Sequence, residues 1–249
     1  MAMQRFFIDP KYINGNDVTF PEAVERQIKK VLRLEHSDAV VVLDNTGMTY
    51  LVELQIKRGQ PLKGIVVDKE LGRAEPAIDM RLCFSLSKKD KLEWIFQKCT
   101  EVGVTVFQPY ISSRSLVQDL ESFECKRERF TSIAREAAEQ SMRSIMPIIK
   151  PVKSFEALIS EKSNAIKLIP WEGTATVERM RHEMVCFSEG EAPGEIRVLI
   201  GPEGGFSREE VEQAESYGYL QVSLGETLLR METACVVATA IVRHICESD

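Results

Sequence analysis

Two glycine-rich turns constrain the fold of this chain more than any other feature. The strand-forming run of residues 197–200 leads directly into residues 201–205, Gly-Pro-Glu-Gly-Gly, and a second apolar run leads into Leu224-Gly225. Glycine permits a close approach of the backbone to a ligand, and α/β proteins bind small molecules at the ends of parallel strands. The pattern predicts a ligand site at these turns. A tight strand-to-helix turn without a ligand explains the first of them about equally well.

Strand and helix patterns alternate over the second part of the chain, which is typical of an α/β domain with a mostly parallel sheet. The predicted strands are residues 81–86, 105–111, 165–170, 197–200 and 220–224. The predicted helices are residues 90–102, 126–142, 207–217 and 232–246. Gly103 is expected to end the first of these helices, and Ser207 with Glu210 forms a capping box for the third.

The first part of the chain carries short strand signals instead. They lie at residues 39–43, 49–56 and 64–67, with a hairpin turn at residues 45–47 between the first two. A small β-barrel is the natural way to close such strands, and the charged stretch of residues 68–79 resembles a linker. We therefore expect one domain over residues 1–74 and a second over residues 75–249.

Several classes of protein are disfavoured by what the sequence lacks. The apolar stretch of residues 235–242, which is interrupted by Thr239, is far shorter than the ~20 residues of a membrane-spanning helix. The 6 cysteines form no C-x-x-C pair, so neither a metal site nor a disulfide framework is expected. The glycine spacing fits neither a phosphate-binding loop nor a dinucleotide fingerprint. A cytoplasmic protein that binds no metal follows as the expectation.

The net charge of −6 is unevenly distributed. Residues 81–153 carry 13 basic and 9 acidic side chains, whereas residues 154–249 carry 8 basic and 17 acidic ones. Phosphate contacts require Lys and Arg, so the basic segment is a candidate for a nucleic-acid surface. A solvated surface without a ligand accounts for the same distribution about equally well.

The second glycine turn is followed by charged residues at the mouth of an apolar helix. Arg230 and Glu232 lie between Leu228-Leu229 and residues 234–242. A helix that is apolar nearly all round is buried, so charges at its start need partners. They either pair with each other and cap the helix or face a ligand.

The two turns together resemble a known family. Gly-Pro-Glu-Gly-Gly, followed about 20 residues later by Leu-Gly and Leu-Arg-x-Glu-Thr-Ala, is similar to the RsmE family of 16S ribosomal RNA uridine N3-methyltransferases. The resemblance covers essentially the whole chain, since further motifs occur in the same order. They are residues 3–7 and 30–34, Lys88 with residues 91–94 and 98–103, and residues 136–143.

The resemblance implies a PUA-like β-barrel followed by a SPOUT α/β domain, whose C-terminal segment forms a trefoil knot. It also implies a homodimer and S-adenosylmethionine as the cofactor. The cofactor shell carried over by motif is Leu199, Ile200, Gly201, Glu203, Gly204, Leu224, Gly225, Leu229, Arg230 and Thr233.

The implied reaction is methyl transfer to N3 of a uridine in 16S ribosomal RNA, in the small subunit or an assembly intermediate. We expect Arg230 to stabilise negative charge on the uracil, and Glu139 or Glu101 to orient it or accept the N3 proton. A solvated helix face explains Glu139 and its neighbours as well. The residues predicted to contact RNA are Arg5, Arg33, Lys88, Lys91, Lys98, Arg114 and Arg143.

Two positions depart from the family pattern. Gln27-Ile28 stands where members commonly have paired histidines, and Glu226-Thr227 stands where they have Pro-Arg. Three alternatives remain at this point: a ribose 2′-O-methyltransferase on the same fold, an RNA-binding assembly factor without catalysis, and, as a distant third, a dinucleotide-dependent enzyme.

Overall fold

The computed structural model of the protein describes residues 3–172 and 194–247. These residues form two compact units, each with its own sheet and core. The first unit comprises Met1–Glu75 and Arg135–Met146, and the second comprises Pro76–Ala134 and Pro147–Asp249. None of the helices in the described ranges is long and apolar enough to cross a membrane.

The first unit contains a six-stranded sheet with the order β1-β4-β5-β6-β3-β2. Its β1 pairs parallel with β4, and the remaining neighbours are antiparallel. The strands are β1 Arg5–Phe7, β2 Ile13–Asn14, β3 Asp17–Thr19, β4 Ala39–Leu43, β5 Met48–Gln55 and β6 Lys63–Leu71. A 3-10 turn (Pro10–Tyr12), helix α1 (Glu22–Arg26) and a π-helical turn (Gln27–Leu32) complete it.

Alternating burial along these strands builds the core of the first unit. Val40 and Val42 of β4 are fully buried, as are Val52 and Leu54 of β5. Asn45 and Gly47, with φ of 64° and 98°, make the hairpin turn that the sequence predicted between β4 and β5.

The sequence did not predict that residues 135–146 belong to the first unit. Glu75 explains why they do, because its carboxylate accepts the N–H groups of Ser144 at 2.6 Å and Ile145 at 2.9 Å. Arg143 Nη2 lies 3.2 Å from the same carboxylate. The single boundary expected after residue 74 therefore misses this second segment.

The second unit contains a seven-stranded sheet, and all its pairings are parallel. The order is β10-β8-β7-β12-β11-β13, with β9 paired to β8. The strands are β7 Asp79–Ser85, β8 Val106–Ile111, β9 Ile148–Ile149, β10 Lys153–Ser154, β11 Ile166–Pro170, β12 Glu195–Ile200 and β13 Tyr219–Val222. The mixed α/β class and the parallel sheet predicted from the sequence are confirmed.

The helices are α2 Lys89–Val102, α3 Leu120–Glu124, α4 Arg127–Gln140, α5 Phe155–Ile159, α6 Arg208–Ser216 and α7 Met231–Glu247. Gly103 ends α2 in the left-handed conformation, with φ of 118°. The capping box of Ser207 and Glu210 at the start of α6 is present as predicted. The sequence did not predict the short elements α3, α5, β9 and β10.

Both faces of the parallel sheet are covered, as parallel sheets require. Ile196, Val198 and Ile200 of β12 pack in the cluster that contains the buried residues of α2 and α7. Leu199 points the other way, into the cluster formed with α5 and α6. Helices α2 and α7 run in parallel, since Lys91 contacts Glu232 near their starts and Arg243 donates to the carbonyl of Val102 near their ends.

Candidate active site

The two glycine turns lie at the same edge of the sheet in the second unit. Ile200, the last residue of β12, is in register with Phe84 of β7, and Val222, the last residue of β13, is in register with Pro170 of β11. Because all these strands are parallel, residues 201–205 and Leu224-Gly225 emerge from their carboxyl ends. This edge is where open α/β sheets bind ligands.

The first turn is shaped by close packing of its glycines. A Cβ on Gly201 would lie 3.0 Å from the ring of Phe206 and 3.3 Å from its backbone nitrogen. Gly205 has φ of 68°, which side chains rarely adopt. By contrast, a Cβ on Gly204 would meet nothing within 4 Å. The turn is therefore tightly packed behind its backbone and open beside Gly204.

Two residues outside the turn support it. The hydroxyl of Tyr110, which is fully buried, donates to the carbonyl of Ile200 at 2.8 Å. Burial raises the pKa of this phenol well above its ordinary value, so it stays a donor. The guanidinium of Arg114 donates to the carbonyls of Gly204 and Phe206, both at 3.4 Å.

Lys91 of α2 joins the two predicted motifs. Its Nζ lies 3.3 Å from Oε1 of Glu203 in the first turn and 3.2 Å from Oε2 of Glu232 in the first turn of α7. Burial lowers the pKa of Lys91, but the hydrogen bonds that its ammonium donates to Glu232 and Glu203 raise the pKa by more, so the net shift is upward. Lys91 therefore stays charged and links the glycine turn to α7.

Glu203 also binds Ser87, whose hydroxyl donates to the same Oε1 atom. Its second oxygen, Oε2, is buried and has no hydrogen-bond partner among the described residues. A buried carboxylate oxygen without a donor is costly. The site thus contains a buried acceptor to which no described residue donates a hydrogen bond.

The second turn is open to solvent. Gly225 has φ of 113°, and a Cβ there would meet nothing within 4 Å. Its N–H donates to the hydroxyl of Ser223 at 3.2 Å. Glu226 and Thr227, the departures from the family pattern, are both exposed, and Leu228 is 78% exposed.

Arg230 directly precedes α7 and is exposed. Its carbonyl accepts the N–H of Ala234 at 2.8 Å, while its guanidinium has no ion pair within the described ranges. Glu232 is occupied by Lys91, so it does not pair with Arg230. The positive end of the helix dipole lies at the N-terminus and repels cations, so α7 itself does not stabilise the charge of Arg230.

The predicted cofactor residues occupy this edge, except that two of them lie behind it. Leu199 is fully buried in the core, and Ile200 is 3% exposed with its carbonyl bound by Tyr110. Both position the turn from behind. The remaining eight are at the turns or the start of α7: Gly201, Glu203, Gly204, Leu224, Gly225, Leu229, Arg230 and Thr233.

The two carboxylates predicted to assist Arg230 are placed differently. Glu101 pairs with Lys98 at 2.9 Å near the end of α2, ten residues and therefore about 15 Å along the helix from Lys91. The structure does not bring Glu101 to this edge, and that assignment is corrected. Glu139 lies in the first unit, where its carboxylate accepts the N–H of Phe7 at 2.9 Å.

Several predicted RNA contacts have structural roles. Arg143 is 2% exposed and pairs with Glu75, so its prediction as a surface contact is wrong. Lys91 links Glu203 to Glu232, and Arg114 supports the first turn while remaining exposed. In the first unit, Arg5 donates to the carbonyl of Met142 at 3.3 Å. The exposed candidates without such a bond are Arg33 and Lys88.

Sequence reasoning missed Ser87 and Tyr110, which contact Glu203 and Ile200. Ser87 lies just beyond β7, which is next to β12, and Tyr110 lies near the end of β8, which is one strand further along the sheet. Polar residues near the carboxyl ends of predicted parallel strands were the available signal. Within the described ranges, no group of three or more His, Cys, Asp or Glu residues is placed to hold a metal ion.

Comparison with known proteins agrees with this architecture. A model of the RNA methyltransferase domain matches residues 74–243, which include most of the second unit and also residues 135–146 of the first. The chain is therefore a member of the class of RNA methyltransferases. The ribosomal RNA small subunit methyltransferase E of Bacillus subtilis is 31% identical over 247 residues, 97% of this chain and 96% of the relative. The chain therefore belongs to the ribosomal RNA small subunit methyltransferase E family, and the resemblance inferred from the motifs is confirmed.

A second relative and a solved structure extend the agreement to the whole chain. The enzyme of the same name from Synechocystis is 30% identical, covering 98% of this chain and 78% of the relative. The crystal structure of the Neisseria gonorrhoeae methyltransferase E bound to S-adenosyl methionine superposes with a TM-score of 0.84 at 26% identity, covering 98% of each chain.

Proposed function

We propose that this protein transfers the methyl group of S-adenosylmethionine to N3 of a uridine in 16S ribosomal RNA. The observation that carries the proposal is the link made by Lys91 between Glu203 and Glu232. This link joins the first glycine turn to the start of α7, which follows the second glycine turn in the chain. Space remains open beside Gly204 of the first turn and Gly225 of the second. Family membership supports the class of reaction.

The residues at the turns fit the proposed cofactor. The vacant Oε2 of Glu203 suits a hydroxyl or ammonium donor, both of which S-adenosylmethionine offers. A Cβ at Gly204 or Gly225 would meet no protein atom within 4 Å, so both positions leave room for a ligand. The cofactor would supply an electrophilic methyl group on a positively charged sulfur. Its shell would be Gly201, Glu203, Gly204, Leu224, Gly225, Leu229, Arg230 and Thr233, with Leu199 and Ile200 behind them.

Arg230 is assigned to the substrate. Removal of the N3 proton of uracil leaves negative charge on the neighbouring carbonyl oxygens, and a fixed cation stabilises that charge. The guanidinium of Arg230 is exposed and makes no ion pair in the described part of the chain, so it is available for this role. Its position directly before α7, five residues after Gly225, supports this assignment.

Glu139 stays the predicted proton acceptor of the reaction. Burial raises its pKa above the ordinary value, and the N–H of Phe7 offsets part of that shift. A carboxylate with a raised pKa is a better base near neutral pH.

RNA would be bound by exposed cations, among them Lys88, Arg33 and Arg114, with Lys98 and Arg5 as further predicted contacts.

The finer features implied by the family are proposed with the function. They are a PUA-like barrel in the first unit, a trefoil knot in the second, a homodimer and a cytoplasmic location. The six-stranded sheet of the first unit suits the barrel. Helix α7 suits the dimer, because Val237 and Ile241 are only partly buried and Ala240 is exposed on this apolar helix.

Nucleoside analysis tests the proposal. Purified small subunits and their free RNA are incubated with the protein and S-adenosylmethionine, digested, and analysed by mass spectrometry. We expect 3-methyluridine. Appearance of 2′-O-methyluridine instead would support the ribose methyltransferase, and absence of any methyl transfer would support the assembly factor. Either result overturns the proposal.

A further inference from the structure

A cavity of about 250 Å³ lies in the second unit, outside the cofactor site. Its apolar lining is Leu86, Leu92, Val117, Phe123 and Phe130, and its polar lining is Ser87, Lys88, Lys89, Ser122 and Lys126. None of these residues belongs to either glycine turn. Ser87 nevertheless connects the two places, because it lines the cavity and donates to Glu203 of the first turn.

The charged side chains that line the cavity are all positive. Three lysines line it and no carboxylate does. Lys89 is exposed and 3.4 Å from Glu93, and Lys126 donates to the hydroxyl of Ser122 at 2.8 Å. Lys88 is exposed. The lining therefore presents cations at the rim of an apolar interior, which complements a group that is flat and apolar at one end and anionic at the other.

We propose that this cavity receives one unstacked nucleotide of the RNA, adjacent to the uridine that is methylated. Its base would enter among Val117, Phe123 and Leu92, and its phosphate would lie against Lys88 and Lys126. The inference deepens the proposed function and rests on it for the identity of the RNA. Packing of a base against apolar and aromatic side chains contributes affinity with little preference for which base it is, whereas phosphate contacts fix the position of the RNA.

Size and location favour a flanking base over other occupants. A volume of about 250 Å³ is below the roughly 300–1,000 Å³ of sites for larger ligands, so it suits a single base. The uridine that reacts must face the two turns that hold the cofactor. Neither turn lines the cavity, so the cavity does not receive that uridine. A flanking nucleotide satisfies both conditions, since enzymes that act on a base extrude that base from its stack and also contact the nucleotides on either side of it.

The test uses the full chain and a short single-stranded RNA carrying the target uridine, labelled with fluorescein and followed by fluorescence anisotropy. A series of matched RNAs lacks one base at a time on either side of the target. Binding of the unmodified protein should weaken about tenfold when one particular flanking base is missing. The variant Val117→Trp, which fills the cavity, should bind the intact RNA about tenfold more weakly and should no longer distinguish it from that base-less RNA.

The variant Lys126→Gln tests the rim independently and avoids a change in the core. It should lower the salt dependence of binding, reducing the slope of log K against log salt by about 0.7. Lys162→Gln is the matched control, because Lys162 is an exposed lysine of the same unit that does not line the cavity. Its affinity and slope should equal those of the unmodified protein.

Two results overturn the inference: equal binding of every base-less RNA by the unmodified protein, or unchanged binding by both variants. Calorimetric titration with S-adenosylmethionine keeps this outcome separate from the proposed function. The variants should bind the cofactor like the unmodified protein. A protein that binds RNA with a flanking-base preference but forms no 3-methyluridine would retain the cavity assignment and lose the proposed reaction.

Discussion

Lys91 Nζ lies 3.2 Å from Oε2 of Glu232, and the same ammonium lies 3.3 Å from Glu203. One lysine of α2 thus pairs with two carboxylates from segments about 30 residues apart in the chain. Their side chains are only 16% and 17% exposed, so the carboxylates would repel each other without it. The geometry of the cofactor edge depends on this ion triad.

Replacement of Lys91 by Met should therefore affect both stability and cofactor affinity. It leaves Glu203 and Glu232 without their shared cation, and we expect the free energy of unfolding to fall by about 1–2 kcal/mol. Affinity for S-adenosylmethionine should fall in parallel, measured by calorimetry. Lys98→Met is the control for stability, since Lys98 pairs with Glu101 near the surface and should cost less than about 0.5 kcal/mol. Equal effects of the two substitutions would contradict the assignment.

Tyr110→Phe should destabilise the first turn by removing a hydrogen bond to Ile200, the residue that directly precedes the turn. It removes the hydroxyl that donates to the carbonyl of Ile200 at 2.8 Å and leaves that buried carbonyl without this donor. We expect a loss of about 1 kcal/mol in chemical denaturation and a weaker affinity for the cofactor. Tyr217→Phe, at a tyrosine that is 46% exposed, should change neither quantity.

Gly204→Ala separates folding from binding. A methyl group at this position meets no protein atom within 4 Å, so the melting temperature should stay at the value of the unmodified protein. The same methyl group enters the space proposed for the cofactor, so affinity should fall at least tenfold, a loss of about 1.4 kcal/mol. Gly194→Ala also meets no atom within 4 Å but lies outside the turn, and it should retain full affinity.

Glu139→Gln should stabilise the protein while reducing its activity. Burial raises the pKa of Glu139 above its ordinary 4.5, and the N–H of Phe7 offsets this only in part, so its ionisation destabilises the folded state. Below the ordinary pKa both folded and unfolded states are protonated, and the variant and the unmodified protein should melt alike. As the pH rises through the raised pKa, the unmodified protein should lose stability relative to the variant. Melting curves from pH 4 to 7 measure the difference, and a difference of opposite sign would contradict it.

Activity of the same variant decides its chemical role. If Glu139 accepts the N3 proton, Glu139→Gln should reduce the rate of methylation and leave affinity for S-adenosylmethionine unchanged. A fully active Glu139→Gln protein would assign the carboxylate to its hydrogen bond with Phe7 alone.

The long helices and strands of the second unit could be predicted because their periodicity is local. Residues 90–102 were predicted as a helix and Lys89–Val102 form one, for example. Contacts across the sheet could not be read in this way. Lys91 lies in a basic segment and was interpreted as an RNA contact, because its two carboxylate partners are more than 100 residues away in sequence.

Arg143 is a second residue whose contact could not be predicted from the sequence. Its motif resembles an exposed polar cluster on a helix, yet the helix ends at Gln140 and Arg143 turns inward to Glu75. Only the fold brings Glu75, which the sequence placed at the start of the second domain, to this turn. The motifs predicted where the two glycine turns lie in the sequence, and the structure shows that Lys91, Ser87 and Tyr110 hold the first turn in place.

Arg230→Ala should abolish most of the activity without affecting the fold. The guanidinium is exposed and makes no ion pair within residues 3–172 and 194–247, so its removal should leave the melting temperature unchanged. Loss of a cation that stabilises charge in the transition state costs on the order of 10²-fold in rate. Arg230→Lys should recover only part of this loss, because an ammonium lacks the two-pronged donor geometry of a guanidinium. Arg208→Ala is the matched control, since Arg208 is an exposed arginine of the same unit that pairs with Glu212 on α6. Methylation by Arg230→Ala at the rate of the Arg208→Ala control would remove Arg230 from the mechanism.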